Sequence, residues 1–153
     1  MYITIILLQT LILPVVSGSI HLAAGGGNPL LVFGIWWAFW GVGTRLVGAG
    51  VSQILKPSRT TQGILGITDA GANQIVNELG YANLGMGLLG LAVPSLPEWG
   101  IVCAASGAIF MGLAGVRHVM KTGKNIKETV VTWTDLVVLV AVGLGVVGYV
   151  VAG

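Results

Sequence analysis

Charge is scarce in this chain, and cysteine is almost absent. Charged side chains account for 8% of the 153 residues, whereas apolar side chains account for 55%. A soluble domain carries about 25% charged residues, so this composition excludes an ordinary water-exposed surface. The single cysteine, Cys103, excludes a disulfide bond within the chain. Basic residues do not cluster with aromatic ones, and we therefore expect no nucleic-acid partner.

Motifs that carry enzymatic chemistry are also missing from the sequence. It has no phosphate-binding Walker loop, no dinucleotide fingerprint and no G-x-S-x-G nucleophile elbow. Its histidine, cysteine and acidic residues do not follow a metal-ligand spacing, so no metal site is predicted. These absences favour a non-catalytic protein, and the sequence identifies no cofactor.

Long apolar runs dominate the chain. Spanning the hydrocarbon layer takes about 20 largely apolar residues, and five stretches qualify: residues 3–24, 30–55, 74–93, 99–119 and 133–152. Glycine and proline punctuate the connections between them. The sequence therefore predicts an all-α, polytopic membrane helix bundle with five transmembrane helices in a single domain, residues 1–153. The longest connection, residues 56–73, is expected to form an interfacial helix or a shallow re-entrant turn.

The basic residues are distributed asymmetrically. With five spans, the second and fourth connections lie on the same face of the membrane as the N-terminus. These connections and their edges hold six of the seven basic residues, namely Lys56, Arg59, Arg117, Lys121, Lys124 and Lys127. The positive-inside rule then predicts a cytoplasmic N-terminus and an outside C-terminus in the inner membrane. A cleaved signal peptide is the alternative for the first span, although a positive n-region is missing.

Arg45 is the one basic residue inside a predicted span. It lies ten residues before the end of the second span at Leu55, which at about 1.5 Å per residue places it roughly 15 Å deep. A charge at that depth costs from about 3 to more than 10 kcal/mol unless it is paired or reaches water. Small and polar residues share its helical face, so we expect Arg45 to face the other helices.

Three residues of neighbouring spans are candidates for a buried polar core with Arg45. Glu78 and Asn83 lie in the third span, and Asp135 lies near the start of the fifth. We expect Glu78 to be the ion-pair partner because it is nearest in depth to a snorkelling arginine, with Asp135 as the second choice. Such a pair either fixes helix register or serves as a proton relay, ion site or headgroup site. Contact of Arg45 with a partner subunit is a further alternative.

The two histidines are candidate axial ligands for a pigment or haem. His21 lies near the outer end of the first span, whereas His118 lies near the inner end of the fourth. They are almost a membrane apart, so one chain cannot clamp one haem between them. The alternative for each is a histidine that only forms hydrogen bonds at the membrane interface.

Small residues and aromatic residues indicate how the helices pack. Gly100, Ala104, Ala108 and Gly112 recur every four residues in the fourth span. Such a ladder lets helix backbones approach closely, either within one chain or between chains. The aromatic run at residues 36–40 faces more than one side of the second span, and we expect some of its rings to meet lipid or another subunit.

Two strings carry a family resemblance, GTRLVG at residues 43–48 and ELGYANLGMGLLG at residues 78–90. They resemble DoxX-like prokaryotic integral membrane proteins, in which an arginine in one helix precedes an E-L-x-x-(A/G)-N-L-(G/A) motif in the next. The resemblance implies a shared polar core of Arg45, Glu78 and Asn83. DoxX itself is linked to a quinone-reducing thiosulfate oxidoreductase, but five predicted spans depart from the four-helix plan of the family.

Three functions are compatible with these features. The first is a non-catalytic integral subunit or accessory protein of a larger membrane assembly, in contact with lipid and with other subunits or its own copies. The second is a small transporter or a proton- or ion-conducting protein that uses the polar core around Arg45. The third, which only the resemblance implies, is a quinone- or lipid-linked membrane enzyme.

Overall fold

The computed structural model describes residues 2–63, 66–96 and 99–152, and these residues are helical with no strand among them. The helices are α1 (Ile3–Ala23), α2 (Pro29–Leu55), α3 (Ser58–Thr61), α4 (Ala72–Ala92), α5 (Gly100–Met120) and α6 (Ile126–Ala152). Four of them, α1, α2, α5 and α6, are long and apolar enough to cross a membrane. The all-helical class is therefore confirmed, and the four apolar helices agree with an integral membrane protein.

The fifth predicted span has a different character. Helix α4 has 21 residues, which is long enough to cross the hydrocarbon layer, but it is not among the four helices that are also apolar enough. Its first half carries Gln74, Asn77 and Glu78, and Asn83 follows near its middle. These polar side chains lower its mean hydropathy, so α4 does not qualify as a membrane span by length and composition alone.

Side-chain caps fix where two of the long helices begin. Asn28 precedes α2, and its Oδ1 accepts hydrogen bonds from the backbone of Leu30 at 2.9 Å and of Leu31 at 3.4 Å. Asn125 and Glu128 form a reciprocal capping box with two bonds of 3.0 Å. Because of this capping box, α6 begins at Ile126, earlier than residue 133, where hydropathy placed the start of the fifth span.

Helices α1 and α2 each contain one π-helical segment. The segments are Leu8–Ile12 in α1 and Ala38–Thr44 in α2. A π turn holds more residues than an α-helical turn, and so it changes the direction of the side chains that follow it. Arg45 is the first residue after the second π segment.

Helix α2 is the central element, and glycine lets its neighbours approach it. A Cβ atom on Gly90 of α4 would lie 2.6 Å from the backbone nitrogen of Gly43, and one on Gly50 would lie 2.7 Å from the backbone oxygen of Gly80. Residue numbers rise along α2 while those of the contacting residues fall along α4. Helix α4 therefore lies antiparallel to the second half of α2. On the other side of α2, Gly34 meets Gly145 of α6 backbone to backbone.

The small-residue ladder of α5 lies inside the chain. Its four residues, Gly100, Ala104, Ala108 and Gly112, are all buried. A Cβ atom on Gly112 would overlap the side chain of Leu139, which shows that this part of the ladder faces α6. Of the two arrangements that the sequence left open, the structure therefore has the ladder packing within one chain.

The connection at residues 56–73 contains a four-residue helix, α3, rather than a longer interfacial helix. Thr61 at its end is 1% exposed, and its hydroxyl donates to Asn73 Oδ1 at 2.8 Å. This bond ties the connection to the start of α4. The apolar centre of the predicted re-entrant turn, at residues 64–65, lies outside the described residues.

Candidate functional site

The candidate site is built around Arg45, near the middle of α2. Its guanidinium Nη2 donates to Oδ1 of Asp135 at 2.5 Å, and its Nη1 donates to Oγ1 of Thr10 at 3.2 Å. The side chains of Arg45 and Asp135 are each 8% exposed, and Thr10 is fully buried. One arginine thus joins α2 to both α1 and α6.

The ion-pair partner is Asp135, so the preference for Glu78 was wrong. Glu78 is exposed, and its carboxylate accepts a hydrogen bond from Gln74 of the same helix at 3.4 Å. Helix α4 turns its glycines toward α2, as the contacts of Gly80 and Gly87 show. Glu78 lies on a different side of α4, and equal depth along the helix axis could not bring it to Arg45.

The hydrogen bonds around the Arg45–Asp135 pair determine whether the pair is fixed or mobile. Charges taken out of water gain from mutual attraction only when good geometry and further hydrogen bonds satisfy the groups that remain. Thr10 supplies such a bond to the second guanidinium nitrogen. A pair held in this way fixes the rotation of α2 relative to α1 and α6. This geometry favours the role in helix register over a mobile relay.

Both π segments adjoin this cluster. Thr10 lies within the π segment of α1, and the π segment of α2 ends directly before Arg45. Such segments are frequent at functional sites because they place side chains where a regular helix would not. Neither segment has a sequence signature in this chain, which is why Thr10 was missing from the predicted core.

Three indole groups of α2 hold α1 in place. Nε1 of Trp37 donates to the backbone oxygen of Thr10 at 2.8 Å, and Nε1 of Trp40 donates to Oγ of Ser17 at 3.0 Å. Trp36 donates to Nδ1 of His21 at 3.2 Å. The predicted aromatic run therefore directs three indole N–H groups toward α1 of the same chain.

The hydrogen bond from Trp36 also determines the tautomer of His21. Because its Nδ1 accepts the indole hydrogen, a neutral imidazole carries its own hydrogen on Nε2. An open groove of about 610 Å³ adjoins it, lined mainly by apolar side chains such as Ile20, Ile35 and Pro94. In this tautomer Nε2 is a hydrogen-bond donor and Nδ1 is occupied by Trp36, so axial ligation through Nε2 would require the other tautomer and loss of the Trp36 bond. The role of His21 as an axial ligand stays a prediction.

His118 lies in the last turn of α5, and its backbone oxygen accepts a hydrogen bond from Lys124 at 2.9 Å. His21 and His118 each lie in the last turn of their helix, and their separation across the membrane stays a prediction. Across the part of the chain that the structure describes, no three histidine, cysteine or acidic residues are grouped closely enough to hold a metal ion.

Asn83 belongs to a second polar contact, separate from Arg45. Its Nδ2 donates to Oε1 of Gln53 at 2.8 Å across the interface between α4 and α2. Asn83 is 3% exposed, and its own Oδ1 is buried without a hydrogen-bond donor among the described protein groups. Gln53 was not among the predicted core residues, although it lies eight residues after Arg45 on nearly the same face of α2.

Removing one member of this amide pair should cost more than removing both. We expect Gln53→Leu to lower the free energy of unfolding by about 1–3 kcal/mol, because it strands the buried Asn83 amide. The double variant Gln53→Leu with Asn83→Leu should recover most of that loss, since no polar group is then left unpaired. Thermal unfolding in detergent would measure both, and additive losses would contradict the pairing.

Comparisons with known proteins give no match. No protein-family model, no curated protein and no solved structure is similar to this chain. The resemblance to DoxX-like proteins therefore stays a prediction, and the functional argument rests on the geometry.

Proposed function

We propose that this chain is a non-catalytic integral membrane subunit or accessory protein of a larger membrane assembly. The observation that carries the proposal is the use of its intramembrane polar groups. Arg45 binds Asp135 and Thr10, and Gln53 binds Asn83. Each of these contacts joins helices of the chain to one another. Polar groups committed to helix packing are typical of a scaffold rather than of a reaction centre.

The outer surface suits helix partners and lipid. Long apolar side chains are exposed along α5 and α6, including Ile109, Leu113, Val140 and Leu144. In a membrane these side chains meet acyl chains or the apolar faces of other subunits. Because the ladder of α5 and the indoles of α2 are used internally, the exposed aliphatic faces are where a partner helix would bind.

The proposal includes five membrane crossings, with α4 as the third. Its support is that α4 lies antiparallel to α2 from Gly43 to Gly50 and beyond, at glycine-mediated contact distance. A helix of 21 residues is about 31 Å long, so a segment packed along a membrane-crossing helix in this way would cross the same layer. The basic residues then lie on one face, and the N-terminus is cytoplasmic by the positive-inside rule.

Native mass is the measurement that tests the accessory role. The source membrane is extracted in a mild detergent, and the chain is followed through native separation with identification of co-migrating subunits. Co-migration with a larger complex is the expected result. A chain that migrates only as a monomer, or only with copies of itself, would contradict the proposal and favour transport.

A small transporter or an ion-conducting protein is the second candidate. The observation that favours it is the depth of Arg45 and Asp135, since intramembrane charged residues often mark substrate or proton paths. Against it, three of the four residues predicted to form one polar core are divided between two separate contacts, and the fourth, Glu78, is exposed. The described side chains thus do not form one continuous polar cluster.

A further inference from the structure

Two buried amide oxygens lack a hydrogen-bond donor. They are Oδ1 of Asn83 and Oδ1 of Asn77, both on α4. A buried acceptor left unpaired costs about 1–3 kcal/mol, so native structures satisfy nearly all of them with protein groups or with ordered water. Because the described protein groups supply no donor here, both oxygens point to a ligand that brings hydrogen atoms to this part of the interface.

A stripe on α2 connects this region to the ion pair. Arg45, Ala49 and Gln53 follow one another at intervals of four residues, which places them on one face of the helix. Ala49 and Gln53 are half-buried, and Gln53 is bonded to Asn83. The stripe therefore leads from the centre of the helix toward the basic loops, with a small side chain between its two polar ones.

The helices separate along this stripe. At the end away from the basic loops, the indoles of α2 bond to α1. At the basic end, the first part of α1, up to Leu7, packs against α6, whereas the second part of α2, Arg45–Leu55, packs mainly against α4. The two helices thus contact different partners beyond the ion pair.

Apolar side chains fill the interior of the bundle on the far side of the ion pair. Val42, Val138 and Val142 are fully buried and belong to the apolar core, together with Ala104 and Ala108. Apolar side chains packed at this density exclude water. A cleft that contains the polar stripe would therefore end at Arg45 and Asp135.

From these observations we propose that the half of the bundle nearest the basic loops holds a water-filled vestibule, which hydrates Asn83 and reaches the Arg45–Asp135 pair. Buried water typically makes two to four hydrogen bonds to groups that would otherwise be unpaired, and the amide oxygens of α4 are such groups. The vestibule gives the ion pair contact with water from one side of the membrane only. It rests on the proposed membrane topology and not on the accessory role.

Cysteine accessibility tests the vestibule. Cys103 is first replaced by alanine, and Ala49→Cys is compared with Leu113→Cys in proteoliposomes treated with a membrane-impermeant thiol reagent. The two positions are at similar distances from the basic ends of α2 and α5, but Leu113 is 67% exposed on the outer surface. A thiol in lipid does not form the reactive thiolate. Lys127 is exposed in the first turn of α6, and Lys127→Cys therefore reports reagent access to the basic face.

The expected result is modification of Ala49→Cys at least about tenfold faster than of Leu113→Cys, because only a hydrated thiol reaches its thiolate form. This reaction should occur when reagent is present on the side that labels Lys127→Cys. Equal rates at the two positions, or labelling of Ala49→Cys from the opposite side, would overturn the vestibule. Lys127→Cys should react from one side of the membrane only. Reaction from both sides, or from neither, would instead show that the proposed membrane topology is wrong.

A second measurement guards against local distortion by the new cysteine. Gln53→Cys lies nearer the mouth and should react at least as fast as Ala49→Cys. Adding Asn83→Leu, which removes the polar group that holds water, should slow the reaction of Ala49→Cys. An unchanged rate with Asn83→Leu, or a Gln53→Cys as slow as Leu113→Cys, would count against hydration at this site.

Discussion

Replacing Arg45 with methionine should lower the free energy of unfolding by about 3–5 kcal/mol, because it leaves the Asp135 carboxylate buried without its partner. The double variant Arg45→Met with Asp135→Leu should lose far less, since neither charge then remains inside the bundle. Thermal unfolding in a mild detergent or in bicelles would measure the difference between the single and double variants.

Glu78→Gln is the matched control for this comparison. Glu78 is exposed and bonds only weakly to its own helix, at 3.4 Å, so its neutralisation should change stability by less than about 0.5 kcal/mol. If the losses from Arg45→Met and Asp135→Leu were simply additive, the two side chains would not be coupled in the folded protein. A large effect of Glu78→Gln would return Glu78 to the polar core.

A leucine at Gly145 should be the second large disruption. Gly145 and Gly34 bring the backbones of α6 and α2 into direct contact, so a side chain there must force the helices apart. Overpacking of this kind costs about 1–3 kcal/mol and occasionally more, and a backbone neighbour cannot move aside as a side chain can. We expect Gly145→Leu at the upper end of this range, measured by thermal unfolding.

Gly143→Leu is its matched control, two residues away on the same helix. Nothing lies within 4 Å of a Cβ atom at Gly143, and the residue is exposed. The control variant should unfold within a few degrees of the wild type, because its leucine projects from the outer surface. Equal destabilisation by the two leucines would mean that α6 does not pack on α2 through Gly145.

The long apolar helices were predictable because each carries its own signal. About 20 consecutive apolar residues commit a segment to cross the hydrocarbon layer whatever its neighbours do, and the bounds of α1, α2 and α5 lie within one residue of those predicted. The start of α6 differed because a capping box, rather than hydropathy, determines it. Helix α4 was correctly predicted to be a helix, but its polar side chains lower its mean hydropathy, and it is not among the four helices apolar enough to cross a membrane.

The polar core was only partly predictable, since depth along a helix does not fix rotation about its axis. Arg45 and Asp135 were both named as candidates, but two π segments alter the direction of the side chains that follow them. No local pattern in the sequence identifies those segments. Gln53 was missed because a glutamine near a helix end ordinarily faces water, and only the packing of α4 shows that it binds Asn83.

These features give one physical description of the chain. Glycine brings α2, α4 and α6 together, and the few polar groups in the interior hold the helices at fixed rotations. The apolar core closes the bundle on the far side of the ion pair. The proposed vestibule, closed at one end, would hydrate the charged pair without conducting ions, which is compatible with the proposed non-catalytic subunit.

Ion flux in proteoliposomes tests most directly whether the polar groups serve packing rather than transport. Purified chain is reconstituted, a proton or potassium gradient is imposed, and dissipation of the gradient is compared with that in empty vesicles. We expect rates indistinguishable from those of empty vesicles, for the wild type and for Asp135→Asn alike. A faster rate in the wild type that Asp135→Asn abolishes would contradict it and would make Arg45 and Asp135 part of a conducting path.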